Sequence, residues 1–374
     1  MNAEELSKKL LETFNEFQKN VKKPHVLIAG PTRVGKSSLI NKIFGEKLAE
    51  EGKGTPVTDS VKKYEKEDIG VILYDSPGCE IGEENIKKFE REVLNIDKPI
   101  NLVWYCINAI ANIEDNDIET IKKFIERKKE KGWDVSVVFT NCDRADEERI
   151  ENSKEAIKKH FNDIDIYITS SKVEHKIFKE EFERLIRDAI RKLPDALKDA
   201  FISAQKVNLD EKWNRAHEII LKHSAISGVI GLIPIPFADA PILVVNECGM
   251  IIEILHIYDL DGLKATLTGG AGGGLIGYLM TYLGKFLSKQ AITNLLKLIP
   301  GAQIVGSLVS GSVASILTAG VGEAVNLSCY KLYEEILKGN DNIDLVKMFG
   351  DMVQKYAEDD VKSGKKPEDY KKPE

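Results

Sequence analysis

Hydrophobic positions along the chain follow a helical spacing first, then alternate between strand-like runs and helix-like stretches. Leu6, Leu10, Phe14, Phe17 and Val21 recur at helical spacing among charges, which predicts an amphipathic helix over residues 2–20. Its apolar stripe is expected to pack on the domain that follows, with membrane contact as the alternative. From residue 24, short apolar runs at 25–30 (HVLIAG), 70–75 (GVILYD), 101–107 (NLVWYCI), 134–140 (DVSVVFT) and 165–169 (DIYIT) read as strands. Helical patterns fill the gaps at 36–44, 82–96, 116–131, 146–161 and 173–191. Such alternation predicts an α/β fold, a mostly parallel sheet with helices on both faces. Residues 61–66 alternate weakly and predict an edge strand. Pro194 reads as a boundary signal, although the helical pattern resumes after it.

Beyond about residue 210 the pattern changes. No residue is charged between Ala265 and Gly284, or between Leu298 and Gly322, and both stretches are rich in Gly, Ala, Ser and Thr. Each is long enough to cross a bilayer, at about 20 residues per span. Lys264, Lys285, Lys289 and Lys297 flank them as headgroup anchors, and Gly273 and Gly277 have the spacing of close helix packing in lipid. The competing reading is a compact, glycine-rich domain of core helices. Residues 272–277 fit GxGxxG, but no strand–helix–strand unit surrounds them, so a dinucleotide site is not expected. Residues 341–357 return to an amphipathic helix, and the charged, Pro-containing stretch from Asp359 to Glu374 is expected to be disordered. The expected layout is a helix over 1–22, a nucleotide domain over 23–200, a helical domain over 205–340, and a final helix and tail over 341–374.

Composition narrows the partners. A net charge of -7, without a dense Lys/Arg stripe, argues against nucleic acid. The five cysteines are scattered with no CxxC pair, which excludes a zinc or disulfide framework and fits a reducing cytosol. Met1 to Lys9 is charged and lacks an apolar signal core, so secretion is not expected.

The chemistry lies in residues 30–37, GPTRVGKS, which match GxxxxGK[ST] between a strand and a helix. Gly30 and Gly35 let the backbone wrap with its N–H groups, including those of Arg33, Val34 and Ser38, turned towards phosphate. Lys36 is placed to reach the outer phosphates and Ser37 to ligate magnesium. Asp75-Ser76-Pro77-Gly78 ends an apolar strand; Asp75 can hold magnesium through water, and Gly78 can offer its N–H to the terminal phosphate. Thr140-Asn141-Cys142-Asp143 ends another strand. A carboxylate at Asp143 can accept both N1–H and the N2 hydrogens of guanine, a donor pair adenine lacks. The same Asp could instead cap the helix at 146–161. Ser170-Ser171-Lys172 follows the last strand and could supply a backbone N–H to guanine O6.

These motifs in this order, over residues 24–195, resemble the translation-factor-related P-loop GTPases, most closely their Era-like branch. The resemblance implies a GTPase domain that binds GTP or GDP with magnesium, followed here by an all-α, Gly-rich hydrophobic domain. It also implies that Thr58, in 54–58 (GTPVT), is the switch threonine that closes on magnesium, with Thr55 as the competitor. Asn141 stands where the base motif usually has a Lys that packs on the nucleobase, and Ser171 where Ala is usual.

Cys79 and then Glu80 follow the DxxG motif where Ras-like enzymes place a water-orienting Gln, so slow intrinsic hydrolysis is expected. Arg33 resembles the P-loop arginine of guanylate-binding proteins and atlastins, which turns inward as an arginine finger when two G domains meet. Its alternative is an exposed arginine paired with a surface carboxylate. Segment 226–255 resembles the trailing DUF697-type domain of bacterial Era-like GTPases and, distantly, the helical domain of immunity-related GTPases. That resemblance implies membrane association. The expected protein is thus a cytoplasmic GTP switch, peripheral or embedded at the inner face of a membrane, contacting lipid and pairing through its G domain. The alternatives are a soluble Era-like GTPase linked to ribosome or RNA, and a weakly hydrolysing nucleotide-dependent scaffold.

Overall fold

The computed structural model describes residues 3–45, 62–64, 70–76, 99–171, 175–230, 241–260, 275–300, 310–339 and 344–372. The chain divides into two units: Lys22–Asn208, and Met1–Val21 together with Leu209–Glu374. Helix α1 (Ala3–Asn20) belongs to the second.

In the first unit the elements run β1 (His25–Ala29), α2 (Lys36–Phe44), β2 (Lys62–Tyr64), β3 (Ile72–Asp75), β4 (Ile100–Asn108), α3 (Asp115–Lys131), β5 (Asp134–Thr140), α4 (Glu147–His160), β6 (Asp165–Ile168), α5 (Lys176–Lys192) and α6 (Asp195–Ala204). The strands form a single sheet in the order β2-β3-β1-β4-β5-β6. All neighbours are parallel except β2, which runs antiparallel to β3 at the edge. Fold and strand order confirm the expected α/β architecture. The expected helix over 82–96 lies outside the described residues.

Alternation along the strands sorts side chains into two cores, because successive residues point to opposite faces. Val26, Ile28, Trp104, Cys106 and Val138 face α2, α5 and α6 through Leu39, Ile43, Phe44, Phe182, Leu185 and Phe201. Leu27, Ala29, Tyr105, Val137 and Phe139 face α3 and α4 through Ile121, Phe124, Ile150 and Ile157. The carboxyl ends of β1, β3, β5 and β6 therefore share one rim, the place where open α/β sheets hold ligands.

The second unit continues with α7 (Leu209–Ile230), α8 (Pro241–Tyr258), α9 (Leu275–Phe286), α10 (Lys289–Leu296), α11 (Gly311–Leu337) and α12 (Leu345–Ser363). Its described residues are all-helical, as expected. Helix α1 buries Leu6, Leu10 and Phe14 here. Its Phe17 ring stands edge-on to His256 of α8 at 5.2 Å, and Ser7 Oγ donates to the Thr281 carbonyl of α9 at 3.3 Å. The stripe thus covers the C-terminal helices rather than the domain that follows it in sequence.

Among the described residues, each uncharged run contributes to one helix. Within the first, the described residues lie in α9. The second run ends inside α11, which continues through Glu323, Lys331, Glu334 and Glu335. Among the described residues α11 alone is long and apolar enough to cross a membrane, yet 72% of its apolar window is buried inside the fold. Neighbouring helices consume that apolarity: a Cβ on Gly322 would lie 2.8 Å from both Ile220 Cγ1 and Met250 Sδ. At Gly277, by contrast, an added Cβ meets nothing within 4 Å among the described residues.

Nor is the C-terminal stretch structureless through residue 372. Helix α12 runs to Ser363, Pro367–Asp369 form a 3-10 turn, and Lys372 Nζ pairs with Asp210 Oδ2 at 2.6 Å.

Candidate functional site

Strand β1 delivers the phosphate loop. Gly30 has φ +136°, and a Cβ there would lie 2.2 Å from the Cys106 carbonyl oxygen of β4, so only glycine fits beside the neighbouring strand. Arg33 is exposed and takes φ +63°, Val34 is buried, and Gly35 takes φ +100° before α2 begins. No side chain caps α2. Its first-turn N–H groups, from Lys36 to Ser38, are therefore available to an anion, whose charge the helix dipole favours.

Lys36 Nζ folds back over this loop and donates to the carbonyls of Gly30 and Pro31 at 3.0 and 2.9 Å. A phosphate entering the loop would meet the ammonium already in place. Ser37 Oγ donates to Asp75 Oδ2 at 3.2 Å, and Asp75 is only 1% exposed. This pair presents two hard oxygens side by side at the rim, a donor set that suits magnesium. Cys106 beneath the loop is no nucleophile, because burial pushes its thiol up to about 12.

The base side is built from the ends of β5 and β6. Thr140 Oγ1 donates to the Val34 carbonyl, tying β5 to the phosphate loop. Asn141 adopts φ +54°, a conformation its short side chain tolerates, and its Nδ2 lies 3.8 Å from where a Gly35 Cβ would sit. The left-handed step turns the chain into a 3-10 helix at Cys142–Arg144. That helix projects Asp143, exposed, above the rim. Buried Ser170 donates to Asp143 Oδ1 at 2.6 Å. Helix α4 is capped by Asp146, which accepts from Arg149 N at 2.7 Å. The capping alternative for Asp143 is thereby removed.

The structure thus brings together Gly30, Arg33, Val34, Gly35, Lys36, Ser37, Ser38, Asp75, Thr140, Asn141, Asp143, Ser170 and Ser171 on one rim. Thr58, Gly78 and Lys172 lie outside the described residues, as do Cys79 and Glu80. Sequence reasoning missed the ties that organise the site: Thr140 to Val34, and Ser170 to Asp143. A hydroxyl at or just past the end of a buried strand was the available signal, but its partner lies 106 residues away for Thr140 and 27 for Ser170.

Residues 22–208 have the fold of a P-loop GTPase domain. Residues 25–141 match the family model described as 50S ribosome-binding GTPase. The probable GTP-binding protein EngB of Aquifex aeolicus is 29% identical over 170 residues, which cover 44% of this chain and 90% of that protein. GTPase Era of Thermoanaerobacter sp. is 26% identical over 190 residues, covering 49% of this chain and 60% of Era. Among solved structures, Era in complex with MgGDPNP and nucleotides 1506–1542 of 16S ribosomal RNA is 19% identical. It covers 47% of this chain and 58% of that one, with a TM-score of 0.37. The chain thus spans nearly all of EngB but about three-fifths of that Era.

Proposed function

We propose that the chain binds guanine nucleotide with magnesium and hydrolyses GTP to GDP and phosphate as a regulatory switch. The observation that carries this is the joining of phosphate loop, cation-binding pair and guanine-selecting carboxylate on one rim by the Thr140–Val34 bond. Lys36 exchanges its loop carbonyls for outer phosphate oxygens. Ser37 and Asp75, with Thr58 from the switch segment, hold the metal. When bound, magnesium neutralises charge on the outer phosphates. Gly78 offers its N–H to the terminal phosphate, Asp143 accepts the guanine N1–H and N2–H, and Ser170, Ser171 and Lys172 border the base. Cys79 leaves the attacking water without an orienting amide, so the intrinsic rate is slow.

A partner must then stabilise the transition state. We assign that role to Arg33 of a second copy's G domain or of its own, turned inward on pairing; its exposure at the tip of the loop supports this. Phosphate release per enzyme should rise with protein concentration, and Arg33→Ala should flatten the rise with a loss of about 10³-fold at saturation while nucleotide affinity changes little. Constant turnover across dilution, unaffected by Arg33→Ala, refutes the finger.

The helical unit supports a peripheral attachment to membrane rather than a span. Ile226, Val229, Val245 and Tyr278 are exposed on it, and α11 is largely enclosed. The likeness to DUF697-type and immunity-related domains points the same way. A ribosome-linked role is the second reading, favoured by the family match over residues 25–141. Sedimentation with ribosomal subunits in the GTP state, against flotation with anionic vesicles, distinguishes the two.

A further inference from the structure

The helical unit buries an acid that the nucleotide chemistry does not use. Glu247, on α8, is 1% exposed. One of its carboxyl oxygens, Oε1, lies 2.5 Å from Thr318 Oγ1 of α11. The other, Oε2, is fully enclosed and has no hydrogen-bond partner among the described residues. Thr318 Oγ1 also lies 2.7 Å from Ser227 Oγ of α7, which accepts from Asn246 Nδ2 at 2.8 Å. Three helices therefore meet at one carboxyl and two hydroxyls.

The hydrogen count at this junction allows two states. Thr318 has one hydroxyl hydrogen and two oxygen neighbours. Either Ser227 donates to Thr318 and Thr318 donates to an ionised Glu247, or a protonated Glu247 donates to Thr318 and Thr318 to Ser227. The heavy atoms stay in place in both. Only in the first does the fold enclose a carboxylate with one bare oxygen, and a buried charge without full solvation is strongly disfavoured. Among the described residues no group of three or more His, Cys, Asp or Glu could hold a metal ion, so no cation of that kind offsets the charge.

We propose that Glu247 is a proton-binding site that latches α8 to α7 and α11: protonated it holds the helix in the unit, and ionised it releases it. Burial pushes this carboxyl up to about 7, opposed by the Thr318 hydrogen bond and by the charge of His223. The surrounding charges do not reverse this. From α7, His223 contacts Asn246 at 2.7 Å and Glu253 at 3.3 Å, and Lys222 pairs with Glu253 at 3.9 Å. From α11, Glu323 is engaged by His217 and by Asn326. From α1, Lys9 bears on Cys248, and along α8 itself His256 contacts Gln18 of α1.

The sign follows from linkage. The released helix exposes a carboxyl of ordinary affinity, near 4.5, whereas the latched one keeps its proton to about 7. Latching therefore weakens as pH rises through this window and levels off above it. The test uses the full chain and Glu247→Gln at matched pH, so that intrinsic exchange chemistry cancels. Amide exchange over residues 246–258, as a wild-type to variant ratio, should rise about thirtyfold between about pH 5.5 and pH 8. In infrared difference spectra near about pH 6, wild type should show a protonated carboxyl band that Glu247→Gln lacks. Thr318→Val removes a donor to the carboxylate and should move the infrared midpoint upward, which keeps the test open if Glu247→Gln fails to fold. A flat exchange ratio, absence of the carboxyl band, or a ratio that follows sodium or potassium at fixed pH overturns the proposal.

Discussion

Removing the Ser170 hydroxyl tests whether Asp143 is an aimed guanine receptor or merely an exposed acid. Ser170 is buried and donates to Asp143 Oδ1 at 2.6 Å, while the rest of Asp143 is exposed. A hydrogen bond to a charged group contributes about 1.5–3 kcal/mol when sheltered, and solvent at Asp143 places this one near or below the lower end. Ser170→Ala frees the carboxylate to rotate, so its two oxygens no longer present themselves together to N1–H and N2–H. A loss near 1.4 kcal/mol corresponds to about a tenfold higher Kd for GDP and GTP. Inosine nucleotides offer only N1–H and should lose less, so the guanine-to-hypoxanthine preference should fall. Adenine nucleotides should be unaffected. Calorimetric titration with GDP, IDP and ADP at fixed magnesium measures all three. Equal weakening for every base, or none for guanine, would show that the Ser170 contact does not aim the receptor. Thermal unfolding of the nucleotide-free protein serves as the control and should change little.

Two further substitutions separate phosphate from base recognition. Asp143→Asn replaces a pure acceptor by an amide, which suits the carbonyl at position 2 of xanthine; it should bind xanthosine nucleotides better than wild type does, and competition binding would detect no gain if Asp143 lay outside the base site. Lys36→Ala removes the ammonium from the loop and should abolish tight GTP binding; unchanged affinity for GTP with magnesium in calorimetry would remove residues 30–37 from the site.

How much of this was legible along the chain depended on whether the information was local. The strands of the GTPase domain were, because a strand buried on both faces must be a short apolar run, as β1 and β5 are. The phosphate loop was legible because its glycines answer to backbone geometry within a few residues. The limits of the domain were less so. Pro194 reads as a boundary, yet α6 follows it and sends Phe201 and Ala204 into the sheet core. The chain leaves the domain only after Gln205, whose Oε1 accepts from the N–H groups of Val207 and Asn208 at 3.0 and 2.7 Å. Helix α5 begins at Lys176 rather than 173 because the His175 side chain caps it.

The helical unit shows the opposite case. A helix enclosed by protein and one enclosed by lipid share the same apolar composition, so sequence alone left both readings of 265–284 and 298–322 standing. What separates them is where polar groups go. Helix α11 carries Thr318, Glu323 and Asn326 on buried positions, and each finds a partner on another helix or its own: Glu247 for Thr318, His217 for Glu323, Tyr258 at 2.7 Å for Asn326. Their partners lie between 68 and 106 residues away in sequence, beyond any periodicity argument. The same contacts explain why α1 could not be placed from its pattern. An amphipathic stripe reports that a surface is covered, and only the matching face of α8 and α9 says which. A polar network that partners Thr318, Glu323 and Asn326 inside the unit is evidence for core packing, and it makes the enclosed, unpartnered Oε2 of Glu247 an exception with a consequence for pH.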